Sequence, residues 1–280
     1  MPRKLDDWDY LQNLCRPNIR SYEQYQEAVV RGLRAARIYV YEKADTLPDH
    51  EFLRDLHRVA FGEVYPFAGS FRNEPVRFGP NRAGAFQTEI TRELDGLREE
   101  SLSLFASASK KSHAAQAICF YHAKFQLIHP FLDGNGRLGR LIMEVQAYDS
   151  LRSPDLRTPA PATYLEAVDK AQSQQALAPL AKALLGINLP EELSKSPKPI
   201  ELQPFVYRHT LPSGRVIESL CYNSQEAEAI MLRLESPELT KQLESLAPEA
   251  ELPVEILVPR QRKQEQARST EPGLDPELKF

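Results

Sequence analysis

The sequence predicts a mainly α-helical chain: a core over residues 1–190, a linker over 191–204, and a small α+β module over 205–259 before a polar tail at 260–280. Three observations carry this. Apolar residues recur at three- and four-residue spacing through most of the core. Pro190, Pro197, Pro199 and Pro204 then punctuate a polar stretch. From Phe205 to Tyr222 strand-like runs flank a turn at LPSG.

Taken in order, Ser21–Val40 has Glu23 and Glu27 early and Arg31, Arg34 and Arg37 late, the charge order a helix dipole favours. Glu51–Phe61 places Phe52, Leu53, Leu56, Val59 and Ala60 at helical spacing. Gly69–Pro80 (GSFRNEPVRFGP) breaks the pattern and reads as a surface hairpin. Helical period returns over Ala85–Leu104. Ser112–Ile128 carries an apolar stripe of Ile118, Tyr121, Phe125 and Ile128, and a second stripe follows in Leu138, Leu141, Ile142 and Val145. Two more helical runs end near Gly186. In the module, Asn223 with Glu226 forms a capping box for a helix through Leu234. A short helix (PELTKQLESL) and a strand at 254–259 (VEILVP) complete a ββααβ order, and the tail from Arg260 reads as disordered.

Composition narrows the function classes. With 42% hydrophobic and 26% charged residues, the chain is neither disordered nor fibrous, and no apolar run reaches the ~20 residues of a membrane span. Residues 201–280 carry 14 acids and 9 bases against a net charge of −4 for the whole, so neither part has a nucleic-acid footprint. The start, MPRKLDDWDY, lacks an apolar h-region, so no secretory signal is expected. Cys15, Cys119 and Cys221 are too widely spaced for a metal site or a disulfide framework. A reducing compartment, the cytoplasm, is the expected location; the basic residues after Pro259 also permit a delivery signal.

The chemistry is concentrated in His129–Arg140, H-P-F-L-D-G-N-G-R-L-G-R. Gly134 and Gly136 flank Asn135 where a helix begins, so successive backbone N–H groups can converge on an anion beside a positive helix end. Arg137 and Arg140 share a helix face and lean toward that end, which suits a di- or triphosphate. Asp133 beside phosphate implies a bridging Mg²⁺. His129, four residues earlier, can take a proton from a hydroxyl.

This string resembles the signature of the Fic (filamentation-induced) family, H-P-F-x-[DE]-G-N-G-R-x-x-R, and meets it at His129, Pro130, Phe131, Asp133, Gly134, Asn135, Gly136, Arg137 and Arg140. Upstream, FGEVYPFAGSFRNEPVRF is similar to the family's approach to its flap, and the resemblance covers roughly residues 20 to 190. It implies a Fic-like helical core with a β-hairpin flap. It also implies transfer of AMP from ATP to a Ser, Thr or Tyr hydroxyl of a protein, in a bacterial toxin or effector. By the same resemblance His129 is the general base and Asp133 holds Mg²⁺. Gly134, Asn135 and Gly136 seat the phosphates; Arg137 offsets charge on the β-phosphate side and Arg140 holds the γ-phosphate. Phe131 packs under the loop, and the flap near Arg72–Phe78 docks the target by backbone pairing.

Two departures from the family pattern matter. Doc-type phosphotransferases carry Lys where this chain has Gly136, so Gly136 favours nucleotidyl over phosphoryl transfer. The inhibitory motif [ST]-x-x-x-E-[GN] is missing; the nearest string, Thr91–Gly96, has Asp95 in place of Glu. Inhibition is then left to a separate small antitoxin protein, to the C-terminal module, or to nothing. Two rival readings stand beside adenylyl transfer: a Fic-type transferase with another nucleotide or phosphodiester donor, and an ATP-sensing regulator whose function lies in the C-terminal module. Outside the motif, His122 reads as a satisfied polar group, His57 and His113 as surface or helix residues, and Cys119 as a core residue.

Overall fold

The structure, a computed structural model, describes residues 8–43, 46–76, 83–152 and 156–245. Two compact units emerge: Met1–Phe205 with Leu220–Ala227, and Val206–Ser219 with Glu228–Phe280.

The first unit is helical. It contains α1 (Trp8–Leu14), α2 (Tyr22–Lys43), α3 (His50–Phe61), α4 (Ile90–Ala106), α5 (Lys111–Ile128), α6 (Asn135–Leu151), α7 (Pro161–Gln174) and the single turn α8 (Ala178–Leu180), which runs on through Ala181–Leu185. Asp49 caps α3 by accepting from Phe52 N at 2.8 Å. At the centre lies α5, flanked by α4, α6 and α7, while α2 packs on α3. Almost every α5 side chain from Ala114 to Ile128 is buried, so its apolar stripe is one side of a helix enclosed all round. The α5–α6 crossing is close because Gly139 has no side chain; a Cβ there would lie 2.3 Å from Gln126 Nε2 and 3.1 Å from Phe125 Cδ1.

Sequence and structure differ at three places in this unit. Helix α1 precedes the first expected helix; its Trp8 packs edge-on to Tyr22 and against Tyr25, both centroids 6.3 Å away. The segment expected to be a linker lies along the helices. Gln116 Nε2 donates to Leu193 O at 3.1 Å and Lys195 O at 2.8 Å, and Ile200 and Leu202 are buried. Its prolines mark an extended run that packs rather than one that spaces. The described part of the expected hairpin (Gly69–Pro80), residues 69–76, forms no strand; Val76 O accepts from Gly84 N at 3.1 Å, beyond the expected end, and residues 77–82 lie outside the described ones.

The hairpin of β1 (Phe205–Thr210) and β2 (Val216–Cys221) forms where alternation predicts it, with Arg208 Nε paired to Glu218 Oε1 across the strands at 2.7 Å. Asn223 caps α9 (Ser224–Leu234) as expected, its Oδ1 accepting from Glu226 N at 3.0 Å, while the return bond of the box is shifted by one residue, with Tyr222 N donating to Glu226 Oε2 at 2.8 Å. The short helix α10 spans Pro237–Ser245. The strand expected at 254–259 and the tail lie outside the described residues.

Candidate active site

The loop between α5 and α6 is built by its own backbone. His129 ends α5 in the left-handed conformation (φ 52°, ψ 60°), its N–H still donating to Phe125 O. Gly134 precedes α6 at φ 89°, and a Cβ there would fall 2.6 Å from Phe61 Cε2. Between them the Asn135 side chain buckles the loop: Oδ1 accepts from Phe131 N at 2.9 Å and Nδ2 donates to Phe131 O at 2.7 Å. The first N–H of α6 to find a carbonyl four residues back is that of Leu138, on Gly134 O at 2.9 Å. The amides of Asn135, Gly136 and Arg137 therefore form the helix's open end. Asn135 was expected to seat phosphate; its side chain is spent within the loop, and only its backbone N–H faces that end.

His129 is partly exposed, and its Nδ1 lies 3.3 Å from Gln126 O. A carbonyl only accepts, so Nδ1 carries the hydrogen and the lone pair of the neutral ring is on Nε2. Desolvation lowers the pKa of this imidazole to about 4; the Gln126 carbonyl opposes the shift and the Arg72 guanidinium reinforces it. At neutral pH the ring is uncharged and able to accept a proton.

Asp133 and Arg137 form an ion pair of 2.7 Å across one helical turn. Tyr65 donates its hydroxyl to the same carboxylate oxygen, Oδ2. Arg137 Nη1 donates to Tyr25 OH at 2.9 Å, and its guanidinium lies 4.8 Å from the centre of the Phe61 ring. Burial and the Asp133 charge both raise the Tyr65 pKa, so the phenol stays a donor. The donor set suits a hard cation shared with phosphate. Asp133 keeps Oδ1 clear of protein partners among the described residues, and no cluster of three or more metal-ligating side chains occurs among them. Mg²⁺ typically takes one or two carboxylates and fills its remaining positions with phosphate oxygens and water.

Arg140 lies 5.1 Å from the ring centre of Tyr164, which α7 supplies. A Cβ on Gly136 would sit 3.5 Å from Arg140 Nη1 and 4.0 Å from Tyr164 OH, ordinary contact distances, so the Arg140 guanidinium borders the open helix end. The Tyr164 hydroxyl meets His122 Nε2 at 3.1 Å in the interior. Asp95 does not serve Arg140; its carboxylate pairs with His50 Nδ1 at 2.7 Å.

Three residues matter here that the sequence reading placed elsewhere or did not single out. His57, expected on a surface or helix, is fully buried and stacks on Phe131, the ring centroids 3.9 Å apart. Its Nε2 donates to Asp133 O at 3.0 Å and its Nδ1 accepts from Gly69 N at 2.9 Å, which ties the loop to the flap approach. Arg72, expected in a docking flap, is buried and donates to the carbonyls of His129 (2.7 Å), Glu74 (2.7 Å), Ile128 (3.3 Å) and Ala85. Its guanidinium is consumed by backbone carbonyls, which leaves the expected backbone pairing along the flap untouched; Arg77 and Phe78 lie outside the described residues. Tyr65 stands in the quoted upstream string, but nothing local marks it as a partner of a carboxylate 68 residues away.

Residues 47–147 match the sequence profile of the Fic/DOC family. A protein adenylyltransferase Fic from Culex quinquefasciatus is 32% identical over 131 residues, 44% of this chain and 24% of its own length. A probable protein adenylyltransferase Fic from Escherichia coli (strain K12) is 25% identical over 134 residues, 46% of this chain and 64% of its own length. The chain thus spans less than two thirds of either relative. Among solved structures, the N-terminal FIC domain of Bep8, a VirB-translocated effector protein of Bartonella sp. 1-1C, aligns with a TM-score of 0.50 at 15% identity, covering 64% of this chain and 91% of that one. At that identity the likeness is one of fold.

Proposed function

With residues 47–147 a Fic/DOC segment, we propose that the chain is a protein adenylyltransferase, moving AMP from ATP to a Ser, Thr or Tyr hydroxyl of a target protein. His129 is the general base. Its Nε2 takes the hydroxyl proton as the oxygen attacks the α-phosphorus; the bond to the β-phosphate oxygen breaks and pyrophosphate leaves. A base of pKa about 4 is weak, and it gains the proton as that oxygen grows acidic on bonding to phosphorus. Backbone amides at Gly134, Asn135 and Gly136 seat the phosphates, with Arg137 on the β-phosphate side and Arg140 on the γ-phosphate. Asp133 would hold Mg²⁺, which when bound offsets phosphate charge. The target lies along the flap by backbone pairing, a toxin or effector role follows from the resemblance, and a small antitoxin is a candidate restraint.

The observation that carries this reading is the joining of a neutral imidazole, an open helix end and two guanidinium groups within the twelve residues of the α5–α6 loop and the first turns of α6. The test is mass spectrometry of cell lysate incubated with ATP, Mg²⁺ and the chain, with His129→Ala as control. The wild type should add the mass of one AMP to a hydroxyl side chain, and label should arrive from the α position of ATP. Label from the γ position, or equal modification by His129→Ala, would end the proposal.

A further inference from the structure

We propose that Tyr25 and Tyr65 form a hydrogen-bonded relay that presets Asp133 and Arg137 for a metal-bound triphosphate, making both phenols positioning residues. The inference rests on the reading of Asp133 and Arg137 as nucleotide-site residues.

The direction of every bond in the relay follows from donor counting. Tyr65 gives its only proton to Asp133 Oδ2, because an ionised carboxylate cannot donate. Tyr25 OH and Tyr65 OH are 3.2 Å apart, so Tyr25 must donate to Tyr65. The Tyr25 oxygen is then the acceptor for Arg137 Nη1 at 2.9 Å, and Arg137 Nη2 reaches Tyr65 OH at 3.4 Å and Asp133 Oδ2 at 2.7 Å. The circuit closes with no donor opposing another. It draws on α2 for Tyr25, on the turn after α3 for Tyr65, and on the α5–α6 loop and α6 for the charged pair. Tyr25 lies outside the segment that matches the family profile.

The phenol rings are themselves held. Both are buried; Tyr65 stacks on Phe67 with centroids 4.8 Å apart, and Tyr25 stacks on Tyr22 at 5.9 Å. The charged pair remains accessible, with side-chain exposures of 22% for Arg137 and 29% for Asp133. Both side-chain bonds to Asp133 fall on Oδ2, which leaves Oδ1 without a hydrogen-bond partner among the described residues. Arg137 keeps donors beyond those given to protein, since a guanidinium carries five N–H bonds. The rotamers a ligand would otherwise have to order are thus set before it arrives.

Titration calorimetry of the full chain with a non-hydrolysable ATP analogue, in Mn²⁺ and in EDTA, tests this. Tyr25→Phe should weaken analogue binding in Mn²⁺ about tenfold, by freeing one edge of Arg137. Tyr65→Phe should weaken it about 10–100-fold and bring the Mn²⁺ value toward the EDTA value, because the carboxylate loses its orienting donor. The double variant should lose less than the product of the two single losses, since the phenols share one hydrogen-bonded circuit while each also holds its own member of the charged pair. Tyr22→Phe, a ring neighbour, should bind as wild type does, and thermal melts should coincide. If Tyr65→Phe does not fold, Tyr25→Phe carries the test alone, reading the relay through Arg137. Wild-type affinity in the phenol variants, or equal loss in Tyr22→Phe, would overturn the relay and leave the nucleotide reading standing. Failure of the wild type to bind the analogue in Mn²⁺ would overturn both.

Discussion

His129 sits where few residues other than glycine sit, in the left-handed region with φ 52°, at a cost of about 1–2 kcal/mol. Arg72 holds that geometry by capturing the His129 carbonyl at 2.7 Å. Removing the ring should therefore spare the fold and remove the proton acceptor. His129→Ala is expected to lower kcat by about 10²–10⁴-fold with analogue binding retained, as calorimetry beside a rate assay would report. The pH profile distinguishes this imidazole from an ordinary one. With its pKa lowered to about 4 in the free chain the ring stays neutral well below 6.5, so the acid limb of kcat/KM should fall near pH 4. An acid limb centred on 6.5 would mean that another group, or a solvated His129, is the base.

The start of α6 separates what the fold requires of glycine from what the ligand requires. Gly134 combines φ 89° with a Cβ position 2.6 Å from a Phe61 ring carbon, so Gly134→Ala should destabilise the loop by about 1–3 kcal/mol and lower the melting temperature. Gly136 is inside the helix, where its Cβ would meet only ordinary contacts, at 3.5 and 4.0 Å. Gly136→Ala should leave the melting temperature equal or slightly higher, since Ala is the better helix residue, yet weaken nucleotide binding by placing a methyl at the open end. Equal affinity in Gly136→Ala would argue against phosphate lying there. The two glycines look alike in the sequence, where both flank Asn135. Only the packing of Phe61 from α3 tells them apart.

For the whole molecule, buried neutral histidines couple stability to pH. His57 and His122 are fully buried, and desolvation lowers each pKa to about 4 from 6.5. Below 6.5 the unfolded chain takes up protons that the folded one refuses, so the stabilisation is complete above 6.5 and lost as pH falls toward 4. Each group contributes a slope of about 1.4 kcal/mol per pH unit within that window. Urea midpoints should drop steeply between pH 6.5 and 5 and stay flat above 7; a midpoint constant from 7 to 5 would exclude the effect. Among the described residues no helix is long and apolar enough to cross a membrane. The helices, the hairpin of the C-terminal module and the glycine-flanked start of α6 were legible in the sequence because their causes are local: apolar period, capping residues, and glycine spacing at a helix start. The seven-residue α1, the packing of Ile200 and Leu202, and the burial of His57 and Arg72 were not, because each depends on surfaces supplied from elsewhere in the chain. The sequence by itself determined which twelve residues could carry the chemistry. Tertiary structure alone decided that Asn135 spends its side chain on Phe131, that His57 holds the Asp133 carbonyl from 76 residues away, and that Tyr25 meets Arg137 across 112. Hydrogen bonds between such distant residues have no period or spacing to read; they exist only once packing has brought donor and acceptor together.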